Sequence, residues 1–272
     1  MKAKKILFIT QAMVPFVPED AKSIMGRFLP QTIQELGHEI RTFTPKWGMI
    51  NERRNQLHEV IRLSGMNIII DDTDHPLIIK VASIPQARMQ IYFIDNDDYF
   101  MKRGMICDEK GQEYTDNGER AIFYARGVLE TVKKLRWVPD VIHCHGWITA
   151  LAPLFIKKAY ADEPSFSDAK VVFSASSPEF KNDLGESTKN CIPFRDAVLS
   201  DIEDLCDKKF GYDELQKIAI KFSDGVVFDD DHVSAEVVDY AKSLDIPILP
   251  YQGEDYKDAY NQFYEQVMGG ED

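Results

Sequence analysis

Residues 5–43, KILFITQAMVPFVPEDAKSIMGRFLPQTIQELGHEIRTF, decide the fold class. Ile6 to Ile9 is an unbroken apolar run, the pattern of a parallel strand covered on both faces. Ile24 to Leu36 reads as a helix. Gly37 ends it, because the residue just past a helix often takes a left-handed backbone that glycine tolerates. Glu39 to Phe43 is a second strand. A strand, a helix and a strand joined by short links predict parallel pairing.

Further along, Val60 to Leu63, Asn67 to Ile70, Leu77 to Val81 and Met89 to Ile94 read as short strands with turn residues between them. No helical period intervenes, so the region from about 58 to 94 is expected to be an antiparallel excursion or a mixed edge of the sheet. Ile122, Ala125, Val128, Leu129 and Val132 then fall at helical spacing, with Asp116 as N-cap and Glu119 as its capping-box partner. Val138 to Cys144, Val171 to Ser174, Gly225 to Phe228 and Ile246 to Leu249 are strands. Ile148 to Ala159, Leu215 to Phe222, Ser234 to Ser243 and Asp255 to Met268 are helices. The polar stretches 161–168 and 176–193 are expected to be loops. This alternation predicts one α/β domain over 1–272, a doubly wound, mostly parallel, Rossmann-like sheet with a β-rich insertion at about 58–94. Ligands of such sheets bind beyond the carboxyl ends of the strands, so candidate residues should follow strands directly.

The 272 residues are 44% hydrophobic and 28% charged, ordinary globular values that argue against general disorder. The net charge of −13 comes without a dense Lys/Arg block; Lys2, Lys4 and Lys5 form only a small group before a strand. Nucleic-acid binding needs a cationic surface, so no nucleic-acid partner is expected. Cys107, Cys144, Cys191 and Cys206 show no CxxC spacing, which disfavours a zinc ribbon or a thioredoxin site. The opening MKAKKILFITQAMVPFV mimics a signal peptide. Gln11 and Pro15 interrupt its apolar run and no clear cleavage site follows, so it reads as a buried strand. No stretch approaches the ~20 apolar residues of a membrane span. A cytoplasmic protein with no membrane partner is expected.

The sharpest polar constellation is His143-Cys144-His145-Gly146-Trp147, at a strand end and a helix start. One use is sugar binding, with imidazoles bonding hydroxyls, Trp147 giving an apolar face and the helix start offering free N–H groups. Another is metal binding, since His at i and i+2 share a strand face; no carboxylate or Cys stands at helpful spacing, and no metal is expected. The plain alternative is a core histidine. Tyr114-Thr115-Asp116-Asn117 with Arg120 reads as a helix cap or as a polar cluster reaching an acceptor sugar. Phe93 to Phe100 reads as an acidic turn or a carboxylate ligand for hydroxyls or a cation. Asp71 to His75 and Asp229 to His232 lack the calcium-loop pattern and read as solvated turns or helix starts. The sequence contains no G-x-G-x-x-G, G-x-x-x-x-G-K-[ST] or G-x-S-x-G, so hydride transfer, NTP hydrolysis and serine hydrolysis lose their main support. No cofactor is expected.

The run from Gln90 to Lys157 resembles the catalytic N-terminal domain of the bacterial glycogen/starch synthase family. QIYFIDNDDYF is similar to the family's V-Y-F-I-D-N-x-x-Y-F, YTDNGERAIF to Y-x-D-N-x-x-R-F, and PDVIHCHGWITALAP to P-D-I-[IV]-H-x-H-D-W-x-[TA]-x-L-A-P. The opening strand and helix are similar as well. The resemblance implies one half of a GT-B glycosyltransferase, in which two Rossmann-like domains face a cleft. It implies a retaining glucosyltransferase that moves glucose from ADP-glucose to an α-1,4-glucan. By motif, His145 takes the place of the histidine near the transferred sugar. Asp116, Asn117, Arg120 and Trp147 take the places of substrate-side residues.

Three departures qualify what the resemblance implies. The family's K-x-G-G-L-x-D loop aligns with Pro18 to Ile24, where Asp20 and Ala21 replace the glycines and Glu19 and Asp20 would repel diphosphate. Lys22 restores one positive charge at a shifted place. The H-D-W segment is His145-Gly146-Trp147, without its carboxylate. The family's C-terminal domain, which holds most of the sugar nucleotide, has no counterpart in these 272 residues. Two readings follow: a glucosyltransferase half that needs a separate C-terminal half for turnover, or a non-catalytic α-glucan-binding or regulatory protein. An apolar interdomain face would favour a homo-oligomer or a partner chain.

Overall fold

The computed structural model describes residues 3–269. Met1 and Lys2 of the basic opening lie outside the described residues. In chain order, β1 (Lys5–Thr10), α1 (Ala21–Glu35) and β2 (Glu39–Pro45) form the opening unit. β3 (His58–Glu59), β4 (Met66–Ile70), β5 (Thr73–Ile84) and β6 (Met89–Asp95) follow, then α2 (Asp97–Phe100) and α3 (Asn117–Leu135). The chain continues through β7 (Val141–His145), α4 (Ala152–Lys157), β8 (Lys170–Ala175), α5 (Gly185–Cys191), α6 (Glu203–Cys206) and α7 (Tyr212–Lys221). β9 (Gly225–Phe228), α8 (Ala235–Ser243), β10 (Ile248–Leu249) and α9 (Tyr256–Val267) close it.

The strands lie in the order β10-β9-β8-β7-β1-β2-β6-β5-β3, with β4 also on β5. Pairing is parallel from β10 to β6. It is antiparallel where β5 joins β6 and where β3 and β4 join β5. The order reverses at β1, which has β2 on one side and β7 on the other. In such sheets ligands bind beyond the carboxyl ends of the strands that flank the switch, here β1 and β7.

Side-chain alternation along β1 explains the double winding. Ile6 and Phe8 point to one face, where Leu29 and Ile33 of α1 and Tyr260, Phe263 and Tyr264 of α9 cover them. Leu7 and Ile9 point to the other, under α3, α4, α7 and α8. Each fully buried side chain of this size stabilises by about 1.5–3 kcal/mol relative to exposure, so these contacts seat α9 despite its polar outer surface. Gly37 has φ of 98°, as the end of α1 requires.

The expected mixed edge is present: Met89–Asp95 pairs antiparallel with β5 and parallel with β2, and Ile91 to Asp95 are buried. Three local expectations are corrected. Val60 to Leu63 is a turn, not a strand: the Leu63 N–H returns to the Val60 carbonyl at 2.9 Å. Ile148 to Ala159 is shorter than expected. Trp147–Thr149 is a 3₁₀ turn, and the helix begins only at Ala152, beside Pro153, whose missing N–H suits a first turn. The 176–193 stretch contains α5, seated by buried Thr188 and Cys191.

Candidate functional site

β1, β7, β8 and β9 end side by side, with Thr10 opposite His145 and His145 opposite Ser174. His143 and His145 are separated by one residue and share a strand face, yet their surroundings differ. His143 is fully buried between the Tyr264 hydroxyl at 2.6 Å and Ser174 Oγ at 2.8 Å. Burial, with His145 close by, brings its pKa down to about 3, so it is neutral at ordinary pH. It is the core histidine of the pair.

His145 stands at the strand end, and its Nε2–H donates to Asp229 Oδ2 at 2.8 Å. Its Nδ1 lies 3.4 Å from Thr10 Oγ1. Asp229 is the first residue after β9, and its backbone N–H is held by the Ala175 carbonyl at 2.8 Å. Burial alone would raise its carboxyl. The His145 imidazole outweighs that, with help from Lys22 and His143, and lowers the pKa to about 2. The second oxygen, Oδ1, is buried with no hydrogen-bond partner. The solvated turn expected at Asp229 is therefore wrong, because the end of β9 carries this carboxylate inward. Asp230 instead accepts from Ser177 N and Oγ at 2.8 and 3.0 Å.

Gln11, directly after β1, ties the edge together. Its Oε1 accepts from Trp147 N at 2.9 Å and its Nε2 donates to Glu179 at 2.7 Å. Glu179 also accepts from Tyr212 Oη at 3.2 Å and pairs with Lys22 at 3.2 Å. The shifted positive charge of Lys22 thus reaches this edge and is matched there by an acid. Gly146 has φ of 95°. A Cβ at this position would fall 2.4 Å from the Gln11 Cβ. Gln11 therefore fills the space beside the position where the resembling motif carries aspartate.

The 18–24 segment is a capped helix start. Asp20 Oδ1 accepts from Ser23 N at 2.7 Å and Ser23 Oγ accepts from Asp20 N at 2.8 Å. Trp147 does not offer an exposed apolar face. Its indole is buried edge-on to Phe180, with ring centroids 5.6 Å apart, and its Nε1 has no partner.

The other candidate cluster lies at the start of α3. Asp116 occupies the N-cap position but makes no cap bond; its carboxylate accepts from Arg103 Nη1 at 2.7 Å. Glu119 accepts from the Tyr99 hydroxyl at 3.2 Å, so the expected capping box does not form. Arg120 is fully buried. It donates to the carbonyls of Tyr99, Met105 and Gly104 and to Asn117 Oδ1, at 2.8–3.0 Å. Burial, then the nearby Arg103, lowers its pKa to about 10. Asn117 Nδ2 donates to the Ile106 carbonyl at 2.9 Å. Asn117 and Arg120 therefore clamp the 99–106 segment, while Asp116 remains partly exposed at its margin.

The structure places His145 and Trp147 at the switch-point edge and Asp116, Asn117 and Arg120 in this separate clamp. Sequence reasoning missed Asp229, Gln11 and Glu179. Asp229 and Gln11 each follow a strand directly, the same signal that singled out His145. Among the described residues, no group of three or more His, Cys, Asp and Glu is placed to hold a metal. No helix among them is long and apolar enough to cross a membrane.

The doubly wound, mostly parallel sheet with its order reversing at β1 is a Rossmann-like architecture. The fold is similar to the catalytic domain of Starch Synthase IV from Arabidopsis thaliana bound to ADP and acarbose. The TM-score is 0.73 at 17% identity, over 94% of this chain and 53% of that one. A family model described as the starch synthase catalytic domain matches residues 5–246. The glycogen synthase of Chlorobium limicola is 39% identical over 171 residues, 62% of this chain and 35% of that protein. The glycogen synthase of Chlorobaculum tepidum is 32% identical over 236 residues, 86% and 47% respectively. The chain belongs to the starch synthase catalytic domain family. It spans about a third to a half of the length of these curated relatives.

Proposed function

We propose that this chain is the acceptor-side half of a retaining glucosyltransferase that passes glucose from ADP-glucose to an α-1,4-glucan. Turnover requires the region that the longer relatives carry beyond the match, on the same polypeptide or on a second one. The observation that carries this reading is His145 at the β1–β7 switch, inside the family match and oriented by Asp229. There the imidazole is set beside the transferred sugar, and Asp116 contributes a carboxylate toward the acceptor. Asn117, Arg120 and Trp147 shape the walls rather than touch substrate, because their polar groups face the chain itself or are buried. No cofactor or metal takes part. The four free thiols fit a cytoplasmic setting. A second copy or a C-terminal half is the expected protein partner, and a monodisperse monomer in light scattering that captures neither would remove that element.

A second reading is favoured by the 18–24 cap and by the cover over His145, which is only 4% exposed. In it the chain binds α-glucan without transferring glucose. Labelled ADP-glucose and glycogen, with and without the C-terminal half of a related glycogen synthase, separate the two. Incorporation that appears only with the added half supports the transferase reading. Robust incorporation by the chain alone removes the non-catalytic one. Glycogen co-sedimentation without incorporation in either mixture supports the binding protein. Failure to bind both glycogen and nucleotide removes both readings.

A further inference from the structure

A separate polar chain joins three elements, through His75 of β5, Tyr99 of α2 and Glu119 of α3. Asp98 Oδ2 lies 3.0 Å from His75 Nδ1. The Tyr99 hydroxyl lies 3.1 Å from His75 Nε2 and 3.2 Å from Glu119 Oε2. His75 and Tyr99 are buried, their ring centroids are 4.6 Å apart, and Phe123 packs against both. His75 closes the run Asp71 to His75 that reads as a solvated turn. Asp71 and Asp72, with φ of 46° and 59°, make that turn, and β5 carries the imidazole inward.

Counting protons shows what this chain needs. The His75 Nδ1–H donates to Asp98. The Tyr99 hydroxyl has one proton to give, and a bare Nε2 and an ionised Glu119 both require one. Whichever it serves, the other is left without a donor, which is costly in a buried site. One extra proton resolves the conflict in either of two places. On Glu119, it is donated to the Tyr99 oxygen while Tyr99 donates to Nε2. On Nε2, it is donated to the Tyr99 oxygen while Tyr99 donates to Glu119. The surrounding charges favour keeping that proton. Asp71 of the β4–β5 turn, Asp98 of α2 and Asp116 at the start of α3 are all acids, and Arg103 is spent on Asp116 and on the Asp98 carbonyl. Burial, with Asp116 and Asp71 nearby, raises the Glu119 carboxyl against the opposing Tyr99 bond and His75. Burial also keeps the Tyr99 hydroxyl and the Cys191 thiol of α5 protonated.

We propose that His75, Tyr99 and Glu119 form a latch that holds one shared proton and fastens the β4–β5 hairpin and α2 to α3, and that the latch loosens when the proton is lost as pH rises. The inference is independent of the function assigned to the strand-end edge. The titration belongs to the linked groups rather than to one residue. The unfolded chain releases this proton by about pH 6.5, so the latch's stabilisation is complete below that value and is lost as pH rises beyond it.

Urea denaturation of the full chain and of Glu119→Gln between about pH 5 and 9 tests it. The glutamine amide donates to the Tyr99 oxygen without a titrating proton. Relative to the native chain, Glu119→Gln should gain folding equilibrium constant as pH rises, by up to about tenfold per pH unit, the slope for one proton. Tyr99→Phe removes the shared hydroxyl, and in that background the gain from Glu119→Gln should largely disappear. Amide exchange over residues 66–75 and 97–100, corrected for intrinsic rate, should speed up with pH in the native chain and not in Glu119→Gln. If Tyr99→Phe does not fold, the Glu119 carboxyl carbon resonance, assigned by its loss in Glu119→Gln, carries the test; it should titrate together with the His75 ring. Parallel pH profiles for the native chain and Glu119→Gln overturn the proposal, as does equal exchange in the two. So does a gain that persists undiminished in Tyr99→Phe, and so does a Glu119 carboxyl that titrates at about 4.3 while the His75 ring is unmoved.

Discussion

At the start of α3, Asn117 and Arg120 direct their donors at carbonyls of the same chain, whereas at the ends of β7 and β9 the His145–Asp229 pair keeps a carboxylate oxygen without a partner. Both clusters are buried, polar and placed beside chain turns. The difference lies in what each has left over. Arg120 is a strut, because its guanidinium ties together three backbone carbonyls of the 99–106 segment. His145 and Asp229 join the tips of two strands, and Asp229 Oδ1 keeps hydrogen-bonding capacity that no group of the chain uses. A motif match cannot separate these cases, but unused hydrogen-bonding capacity can.

The comparison breaks most easily at Arg120. Arg120→Met keeps length and removes the donors, so the Tyr99, Gly104 and Met105 carbonyls lose partners. A loss of about 3 kcal/mol or more is expected, read as a lower urea midpoint with an unchanged slope. If stability holds while glycogen binding disappears, the clamp is a binding site and the contrast fails. Gly146→Ala tests the edge next. The backbone at φ of 95° costs a side chain about 1–3 kcal/mol, and the contact with Gln11 adds to it. Gln11→Gly in the same chain should recover the steric part only, giving a double variant less unstable than the two singles summed.

Asp229→Asn should act through pH. The native carboxyl titrates near about 2, against 3.8 for the free group. The depressed native value means that its stabilisation is complete above about pH 4 and is lost as pH falls toward 2, a contribution of roughly 2 kcal/mol. The asparagine variant should be less stable at neutral pH and show a flatter acid limb in that window. Chemical denaturation at several pH values checks both. An unchanged acid limb would mean that the His145–Asp229 pair is not the charged link that distinguishes the edge from the clamp.

Much of the fold was legible because it rests on local pattern. The apolar run Ile6 to Ile9 and the Gly37 stop are visible without tertiary contacts, and they predict the parallel pairing found between β1 and β2. Met89 to Ile94 was legible as a strand but its two neighbours were not, because a strand shows its period and not its partners; it pairs antiparallel with β5 and parallel with β2. The site was half legible. His145 was found by its position after a strand, but Asp229 is far away in sequence and sits in an acidic run that also fits a solvated turn. Its burial depends on where β9 ends beside β8. Arg120 was recognised by motif, and its role was hidden because its partners are backbone carbonyls, which carry no sequence signal.

Lys22→Ala offers the smallest and most discriminating change at the edge. Lys22 and Glu179 form a partly exposed pair at 3.2 Å. Such pairs contribute about 0–1 kcal/mol, and salt weakens them further. The expected loss is therefore about 0.5 kcal/mol at low salt and less at high salt. Lys22 also helps to lower Asp229, but it ranks behind His145 among the opposing charges. The acid limb assigned to Asp229 should then shift only slightly in Lys22→Ala and much more in His145→Gln. If the two variants shift it equally, the His145–Asp229 pair is not an autonomous unit. The edge would then be one shared charge network running from α1 to β9, and its unpaired oxygen would belong to that network rather than to the His145–Asp229 pair alone.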